Sequence, residues 1–494
     1  MTPLGARANG RGGSDFASGD SAMSLFYNPA GLVLVQAPVS IDGSFQVHFN
    51  RRCYEGVAVD ETGATPTAGA AYPEICGDTG FTLLPELAGT VRLRDDLVLG
   101  FGLQVPTAGA RHITFGNVDT GQFDPDGRGP MGAVDAPTRY QLMESDFLQL
   151  FLTVGASYAP HPRFRVGGTF GWGITKVSFS NAAYARLEVV PGLITAFADA
   201  RSALDGLDAF VPRASLGVSG EPIASVPLTF GASFQWTGDV RTDSARLDVH
   251  GLSTRFEPAA IGDLIGELEA DATVNGVGVR VPQTAQLGFG ARYAHRLDEP
   301  ADAIGDRLSN ERFDVELGLA MTFAKRVDQF SVDLPDDAEV VVPSPLPIVP
   351  EQHIALPDRI DLAHQWKNQL AISIGGDVNP IPGVLGLRAG IRYETSGVRH
   401  GYEQVDFTPM RNISLHLGGT VRIASRVDIS LAIAHVRYPD VNVAPEDARI
   451  RRIVSGDADP NVPADASIAN AGTYRNRMTA LMLEAAVRLG SLDD

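Results

Sequence analysis

The sequence predicts an all-β fold: a 14-stranded antiparallel transmembrane β-barrel whose lumen holds a small N-terminal hatch, or plug. Three observations lead to this prediction. Apolar residues alternate with small or polar ones at a period of two. Many of the alternating stretches are about ten residues long, which is enough for a tilted strand to span a bilayer. Short connections alternate along the chain with long ones, as in outer-membrane barrels.

The alternation indicates strands with one apolar face and one small or polar face. In residues 164–175, for example, Phe170, Trp172 and Ile174 alternate with Gly171 and Gly173. The number of predicted strands is even, as a closed bacterial barrel requires. The predicted strands are 39–47, 81–93, 97–105, 145–158, 164–178, 213–219, 228–240, 282–293, 313–323, 366–378, 384–395, 410–423, 427–437 and 475–489.

The connections fall into two classes. Loops this long and without regular structure argue against a compact soluble domain, although an array of soluble β-sandwiches remains an alternative. The connection 294–312 is longer than the other connections predicted at the end of the barrel that carries the short turns. Short turns are predicted at 94–96, 160–162, 379–383 and 425–426, and long loops near 48–80, 106–144, 179–212, 240–281, 324–366, 396–410 and 437–475.

Several charged side chains fall on the non-apolar faces of the predicted strands. An arginine on the lipid face would cost roughly 2–4 kcal/mol at the bilayer midplane, so a wet lumen explains these residues best. A solvated sheet face is the alternative. The residues are Arg165, Arg292, Glu316, Arg388, Arg392, His416 and Arg422.

Composition excludes some classes of protein. The 494 residues carry a formal net charge of −19, which argues against nucleic acid as a partner. No stretch approaches 18 consecutive apolar residues, so no transmembrane helix is expected. Residues 1–7 lack the apolar core of a signal peptide. We therefore expect either the mature or truncated form of an exported protein, or a cytosolic protein.

The two cysteines, Cys53 and Cys76, lie in one Gly/Thr/Pro-rich segment. A local disulfide in an oxidising compartment is the favoured interpretation, with two free thiols as the alternative. A metal site needs more ligands than this pair offers, and no histidine or third cysteine joins them, so no metal is expected, and no cofactor either. The sequence contains neither a G-x-S-x-G elbow nor an HExxH motif, so an outer-membrane enzyme is a weak alternative.

The chain divides into residues 1–38 and a barrel of residues 39–494. The stretch GDSAMSLFYNPAGL, residues 19–32, is compact and non-periodic. Fourteen strands enclose a lumen that their own side chains cannot fill, so we expect residues 1–38 to form a plug. A disordered tail is the alternative, but Phe16, Leu25, Phe26 and Leu32 make the segment too apolar for one.

The stretch GARANGRGGSDFASGDSAMSLFYNPAGL resembles the N-terminal hatch of the long-chain fatty acid transporter family (FadL/TodX type). Asn-Pro-Ala alone is a weak signal, but it stands here with its Gly/Arg/Ala-rich approach and an independent count of fourteen strands. The resemblance implies a layout that covers the whole chain. The match falls on Gly5, Arg7, Ala8, Arg11, Gly12, Gly13, Asp20, Ala22, Tyr27, Asn28, Pro29, Ala30, Gly31 and Leu32.

The resemblance implies a monomeric, porin-like channel in the bacterial outer membrane, in contact with membrane lipid and lipopolysaccharide. Such a channel takes up long-chain fatty acids or other hydrophobic compounds passively. The ligand is captured by extracellular loops and leaves sideways into the bilayer through an opening near the third strand. Some relatives resemble docking scaffolds for secretion or surface assembly, and the Pro-rich stretch 340–357 is a candidate docking arm.

The resemblance and the sequence pattern together indicate candidate site residues. Asn28, Pro29, Ala30 and Gly31 are the predicted hatch or gating residues, and Gly100, Gly102 and Pro106 mark the predicted lateral opening, because glycine and proline weaken strand pairing. Two amphipathic helices are predicted in 186–211 and 259–270, and they either hold the ligand or pack on each other. Their apolar residues, the predicted ligand groove, are Leu193, Ile194, Phe197, Leu204, Leu207, Ile261, Leu264, Ile265 and Leu268.

Overall fold

Fourteen long strands form a closed antiparallel barrel, as predicted. The structure is a computed structural model that describes residues 4–57, 71–106, 110–129, 132–183, 187–190, 193–195, 199–223, 225–252, 271–297, 306–342, 352–406, 409–424, 426–452 and 468–490. The barrel strands are β1 Val39–Gly56, β2 Thr82–Arg94, β3 Leu97–Gln104, β4 Glu144–His161, β5 Phe164–Ala183, β6 Ala200–Gly220, β7 Leu228–Thr237, β8 Ala285–Arg296, β9 Glu311–Phe323, β10 Gln369–Ile381, β11 Leu385–Glu394, β12 Asn412–Ile423, β13 Val427–Arg437 and β14 Gly472–Leu489.

Each strand pairs with its neighbours in the chain, and β14 pairs with β1 to close the barrel. The closing ladder runs from Val39 opposite Leu489 to Gly56 opposite Gly472. A closed sheet leaves no unpaired strand edge, which is the condition for a sheet to sit in lipid.

The two faces of the barrel differ as the alternation predicts. On β12, Leu415 and Leu417 are about 60% exposed on the outer face. Ser414 and His416, between and beside them, are buried on the inner face. The outer surface is thus an apolar band suited to lipid, and the charged residues predicted to face inward are buried inside.

The shorter elements lie mainly at the barrel's two rims. We call the end that carries the long connections the upper rim and the end with the short turns the lower rim. Among the described residues, no helix has the length and apolar character needed to cross a membrane. The helices are Ala6–Gly10 and Arg307–Asn310, with 3-10 turns at Ala22–Phe26 and Pro29–Leu34; the additional strands are Ile75–Cys76, Ala110–Thr114, Gln122–Phe123, Val134–Asp135, Leu187–Val190, Leu193–Thr195, Val240–Gly251, Asp271–Val281, Gln329–Asp333, Glu339–Val342, Gln352–Ala355, Arg359–Ala363 and Val441–Val443.

Above the upper rim the barrel sheet continues into a smaller lobe. Strand Val240–Gly251 pairs with the first half of β6 and with Asp271–Val281, which pairs in turn with Gln329–Asp333. The lobe has its own apolar core, so these long connections are folded rather than irregular. Buried members of that core include Leu204, Leu247, Val249, Val277, Val279, Phe330 and Val332.

The helix predicted over 186–211 is wrong in its described part, because residues 200–211 belong to β6 and Leu187–Val190 pairs with Leu193–Thr195. Leu204 packs into the lobe core, while Leu207 is 56% exposed on the opposite face of the strand. Residues three apart share a helix face but lie on opposite faces of a strand. The spacing was therefore misleading. Phe197 and the second predicted helix, with Ile261, Leu264, Ile265 and Leu268, lie outside the described residues.

Two other predictions concern the upper loops. Cys53 on β1 and Cys76 stand opposite each other and form a disulfide with an S–S distance of 2.01 Å. Glu74 lies beside them, but bonded sulfurs offer no thiolate to a metal. In the Pro-rich stretch 340–357, Glu339–Val342 pairs with Gln352–Ala355 as a hairpin, and residues 343–351 lie outside the described part of the chain.

Candidate functional site

Residues 4–37 occupy the interior of the barrel and are almost entirely buried. The helix Ala6–Gly10 contacts β12, β13 and β14. The turn Ala22–Phe26 contacts β2, and Pro29–Leu34 contacts β4, β5 and β6. We call residues 4–38 the N-terminal segment. It touches both sides of the barrel wall and therefore spans the lumen.

The residues Asn28-Pro29-Ala30-Gly31 form the contact with β4, β5 and β6. The Asn28 side chain caps the turn by accepting a hydrogen bond from the Ala30 amide at 3.2 Å. Its Nδ2 donates to the carbonyl of Phe16 at 2.7 Å and to that of Val218 on β6 at 3.0 Å. On β4, Ser157 Oγ donates to the Ala30 carbonyl at 3.0 Å. One asparagine thus joins two parts of the segment to the wall.

Glycines in the wall allow this contact to be close. A Cβ on Gly167 of β5 would lie 2.4 Å from the Pro29 carbonyl carbon, and one on Gly217 of β6 would lie 2.0 Å from Asn28 Oδ1. Gly168, the next residue, faces outward, and a Cβ there would make only ordinary contacts, 3.4 Å or longer. The inward glycines are therefore required by the N-terminal segment and not by the strand.

Gly100 and Gly102 of β3 serve the same purpose. A Cβ on either glycine would lie within 3 Å of Leu25. Both residues are paired with β2 and with β4. The ladder is thus continuous at these two glycines, and both make room for the segment.

The third residue of that set, Pro106, stands at a real interruption. Pairing of β3 with β4 ends at Gln104 opposite Phe151, and the separate strand Ala110–Thr114 then pairs with β4 from Leu148. Five chain positions separate Gln104 from Ala110, whereas two separate Leu148 from Phe151, so the register is interrupted after Gln104. A proline offers no N–H to the ladder, which is consistent with its place at the break.

Buried ion pairs hold the N-terminal segment to the opposite wall. Arg11 is 1% exposed and lies 2.6 Å from Asp314 of β9 and 2.8 Å from Asp377 of β10. Its Nε donates to the Ser14 carbonyl at 3.0 Å. Asp20 pairs in the same way with Arg7 and with Arg307 near the lower rim. Because unpaired buried charges are costly, these contacts fix the position of the segment.

The five arginines predicted to face the lumen are buried and paired with carboxylates. None of them presents a free charge to a ligand. The pairs are Arg165 with Glu221, Arg292 with Glu311 and Asp314, Arg388 with Asp377, Arg392 with Glu394, and Arg422 with Asp306 and Asp428.

A cavity of about 290 Å³ lies between the N-terminal segment and the upper rim. Its wall is mixed, with apolar side chains beside amides and hydroxyls, and Pro106 at the interruption of β3 is part of it. A second cavity of about 420 Å³ at the upper rim shares Phe179 and Phe330 with the first. The main apolar members of the first cavity are Ile113, Phe147, Phe151, Val177, Phe179, Phe330, Met410 and Met478.

Arg213 of β6 is a buried cation that lines this cavity and has no carboxylate partner among the described residues. It is 9% exposed, and its guanidinium carbon lies 4.9 Å from the centre of the Phe151 ring. Its buried Nε makes no hydrogen bond. Sequence reasoning missed this residue, although the alternation of Arg213, Ser215 and Gly217 with apolar neighbours could have placed it on the inner face.

The structure thus defines a class: closed 14-stranded barrels whose lumen is filled by their own N-terminus. Comparison with protein-family models and with curated proteins found no match. Among solved structures, a Pseudomonas aeruginosa FadL homologue matches with a TM-score of 0.67 at 13% identity, covering 99% of both chains. The P. putida toluene transporter TodX matches with 0.62 at 15% identity, covering 99% of this chain and 100% of its own.

The Ralstonia pickettii toluene transporter TbuX matches with a TM-score of 0.57 at 13% identity, covering 99% of both chains. This chain therefore has the fold of the FadL/TodX-type barrels. The resemblance seen in residues 5–32 is confirmed at the level of the fold. TodX and TbuX are named as toluene transporters, and none of the three matched proteins is named as an enzyme.

Proposed function

We propose that this chain is a channel of the bacterial outer membrane that takes up hydrophobic small molecules passively. Residues 1–38 act as the hatch and residues 39–494 as the barrel. Because one chain closes the barrel, we propose that it works as a monomer. The upper rim, with the long connections, faces the cell exterior, as is usual for outer-membrane barrels.

The observation that carries this proposal is the cavity between the N-terminal segment and the upper rim. It lies next to the interruption of β3 at Pro106, so a bound molecule has a short way to the surrounding lipid. Each CH₂ group gains about 0.8 kcal/mol in an apolar environment, so a long acyl chain partitions into such a site without an energy source. By leaving sideways into the bilayer, the acyl chain avoids the aqueous periplasm.

Arg213 favours an acid as the ligand over a plain hydrocarbon. A buried guanidinium without a partner carries a desolvation cost, which a carboxylate in the cavity would offset. The acyl chain would lie along Phe147, Phe151 and Met478, which line the same cavity. We therefore propose long-chain fatty acids as the ligand class, although TodX and TbuX are named for toluene.

The variant Arg213→Met tests the ligand class. We expect it to weaken oleate binding by about 10- to 100-fold, since hydrogen bonds to charged groups contribute about 1.5–3 kcal/mol. Binding of oleyl alcohol, which lacks the charge, should change less than threefold. Both affinities are measured by titration of the detergent-solubilised protein.

Arg477→Met is the matched control, because Arg477 also lines the cavity but is exposed. It should affect neither ligand by more than a few fold. Unchanged oleate binding in Arg213→Met, or an equal loss for both ligands, would contradict a carboxylate site at Arg213.

A further inference from the structure

Three arginines converge on one carboxylate at the upper rim, over β7, β8 and β9. Asp239 accepts hydrogen bonds from Arg280 at 3.0 Å and from Arg241 at 3.3 Å, and it also pairs with Arg326. The arginine side chains are 66%, 50% and 43% exposed at Arg241, Arg280 and Arg326, whereas that of Asp239 is 4% exposed. We call these three arginines the rim arginine patch.

The three arginines carry more positive charge than the single carboxylate of Asp239 neutralises. Asp239 is also held by the Gln283 amide at 3.2 Å. Burial raises the pKa of the Asp239 carboxyl, but the hydrogen bonds from Arg280 and Gln283 and the charge of Arg326 outweigh it, so the pKa lies below its usual value. Among the described residues no other carboxylate pairs with the three arginines. Two net positive charges therefore face solvent on a chain of net charge −19.

The register of the sheet places the patch at the edge of the apolar band. Trp236, Ala285 and Phe323 are cross-strand neighbours on β7, β8 and β9, and they form the last outward-facing row below the patch. Trp236 and Phe323 are each 38% exposed. Aromatic side chains on the outer face mark the level of a membrane interface. Asp239 and Arg326 come three residues after Trp236 and Phe323, so the patch lies directly above this row.

We propose that the rim arginine patch binds the phosphate groups of the phosphorylated glycolipid in the outer leaflet, lipopolysaccharide. This inference rests on the proposed placement of the barrel in the outer membrane. Headgroup phosphates lie just beyond the hydrocarbon, at the height of the patch. Guanidinium groups bind phosphate through paired hydrogen bonds. Asp239 holds the three side chains together, so little further ordering is needed on binding.

A variant with Arg241→Gln, Arg280→Gln and Arg326→Gln tests the proposal. Asp239→Asn is added, so that no buried carboxylate is left unpaired. The probe is bis-phosphorylated lipid A in nanodiscs with the purified full chain, and bound lipid is counted by native mass spectrometry. We expect the variant to bind lipid A at least tenfold more weakly than the wild type. Lipid A without its phosphates should bind the wild type as weakly as phosphorylated lipid A binds the variant.

The control variant combines Arg246→Gln with Arg359→Gln. Both arginines are exposed and pair with carboxylates, but they lie in the lobe and not at the membrane edge. The control should bind lipid A as the wild type does. Equal binding by wild type and patch variant would overturn the proposal. So would displacement of lipid A by an equal concentration of inorganic phosphate, which would indicate a site for the free ion.

Oleate binding, measured on the same samples, separates this proposal from the proposed function. The variant leaves Arg213, Phe151 and Met478, which we assign to the ligand, unchanged. Asp239→Asn keeps an oxygen that can accept the hydrogen bond from Gln283 at the cavity wall, so oleate affinity should be unchanged in the patch variant. Lipid A loss with normal oleate binding supports the patch. A wild-type protein that binds lipid A but no oleate would count against the proposed function alone.

Discussion

Replacing Arg11 by methionine is expected to lower the free energy of unfolding by about 3–5 kcal/mol, because it removes the nearest cation from buried carboxylates. Asp314 and Asp377 would keep only their longer pairs, with Arg292 and Arg388. Arg11 reaches Asp314 and Asp377 on adjacent strands and lies 3.6 Å from Glu316. Methionine fills much of the same volume but cannot pair with any of them. The loss is measured by equilibrium unfolding in detergent with urea.

Arg94→Met is the control for this experiment. Arg94 is 62% exposed and pairs with Asp96 in a short turn at the lower rim. An exposed pair of this kind contributes about 0–1 kcal/mol, so the control should unfold nearly as the wild type does. Equal stability of the two variants would contradict the role given to Arg11.

If Arg11→Met does not fold, two glycine variants that change no charge test the docking of the N-terminal segment. Gly167→Val places a side chain against the backbone of Pro29 and Ala30, whereas Gly168→Val faces outward. The first should displace the segment and raise ion conductance in a planar bilayer. The second should conduct as the wild type does.

Deleting residues 107–109 is expected to slow the transfer of oleate into the bilayer at least tenfold, while leaving oleate binding unchanged. The deletion leaves two residues between Gln104 and Ala110, which equals the two residues between Leu148 and Phe151 on β4. The alternation of faces is preserved. Pairing of β3 with β4 becomes continuous and the proposed exit closes. Pro106→Thr is combined with the deletion to supply the missing N–H.

Transfer is followed in proteoliposomes by a fluorescent fatty-acid sensor inside the vesicle lumen, and binding is followed by titration in detergent. A variant lacking residues 343–345, in the Pro-rich stretch, serves as the control and should transfer oleate at the wild-type rate. Wild-type transfer by the variant lacking residues 107–109 would exclude the break at Pro106 as the exit.

The barrel was predictable because each membrane strand meets two different solvents. The outer residues, such as Leu415 and Leu417, face lipid, and their neighbours face a polar interior, so the period of two is imposed along the whole strand. Strand β6 shows the limit of this signal. In its upper half Leu204 and Val211 pack into the lobe core, with a register shift between them, so the apolar residues there follow no simple alternation.

The candidate site was predictable only in part. Asn28 and Pro29 carry a recognisable motif, but the sequence does not say that they meet Gly167 and Gly217, which lie far along the chain. Most inward arginines could be identified by alternation, but their pairing depends on the register of neighbouring strands. For the same reason the sequence could not distinguish Arg213, which has no carboxylate partner among the described residues, from the paired ones.

The proposed function requires that the cavity above the N-terminal segment binds a fatty acid. The most direct measurement is the crystal structure of the protein with an ω-brominated long-chain fatty acid, with anomalous scattering locating the bromine. We expect a bromine peak inside the barrel among the cavity's apolar residues, with the carboxylate at Arg213. Bromine found solely on the outer, lipid-facing surface, or no bound acid at all, would contradict it.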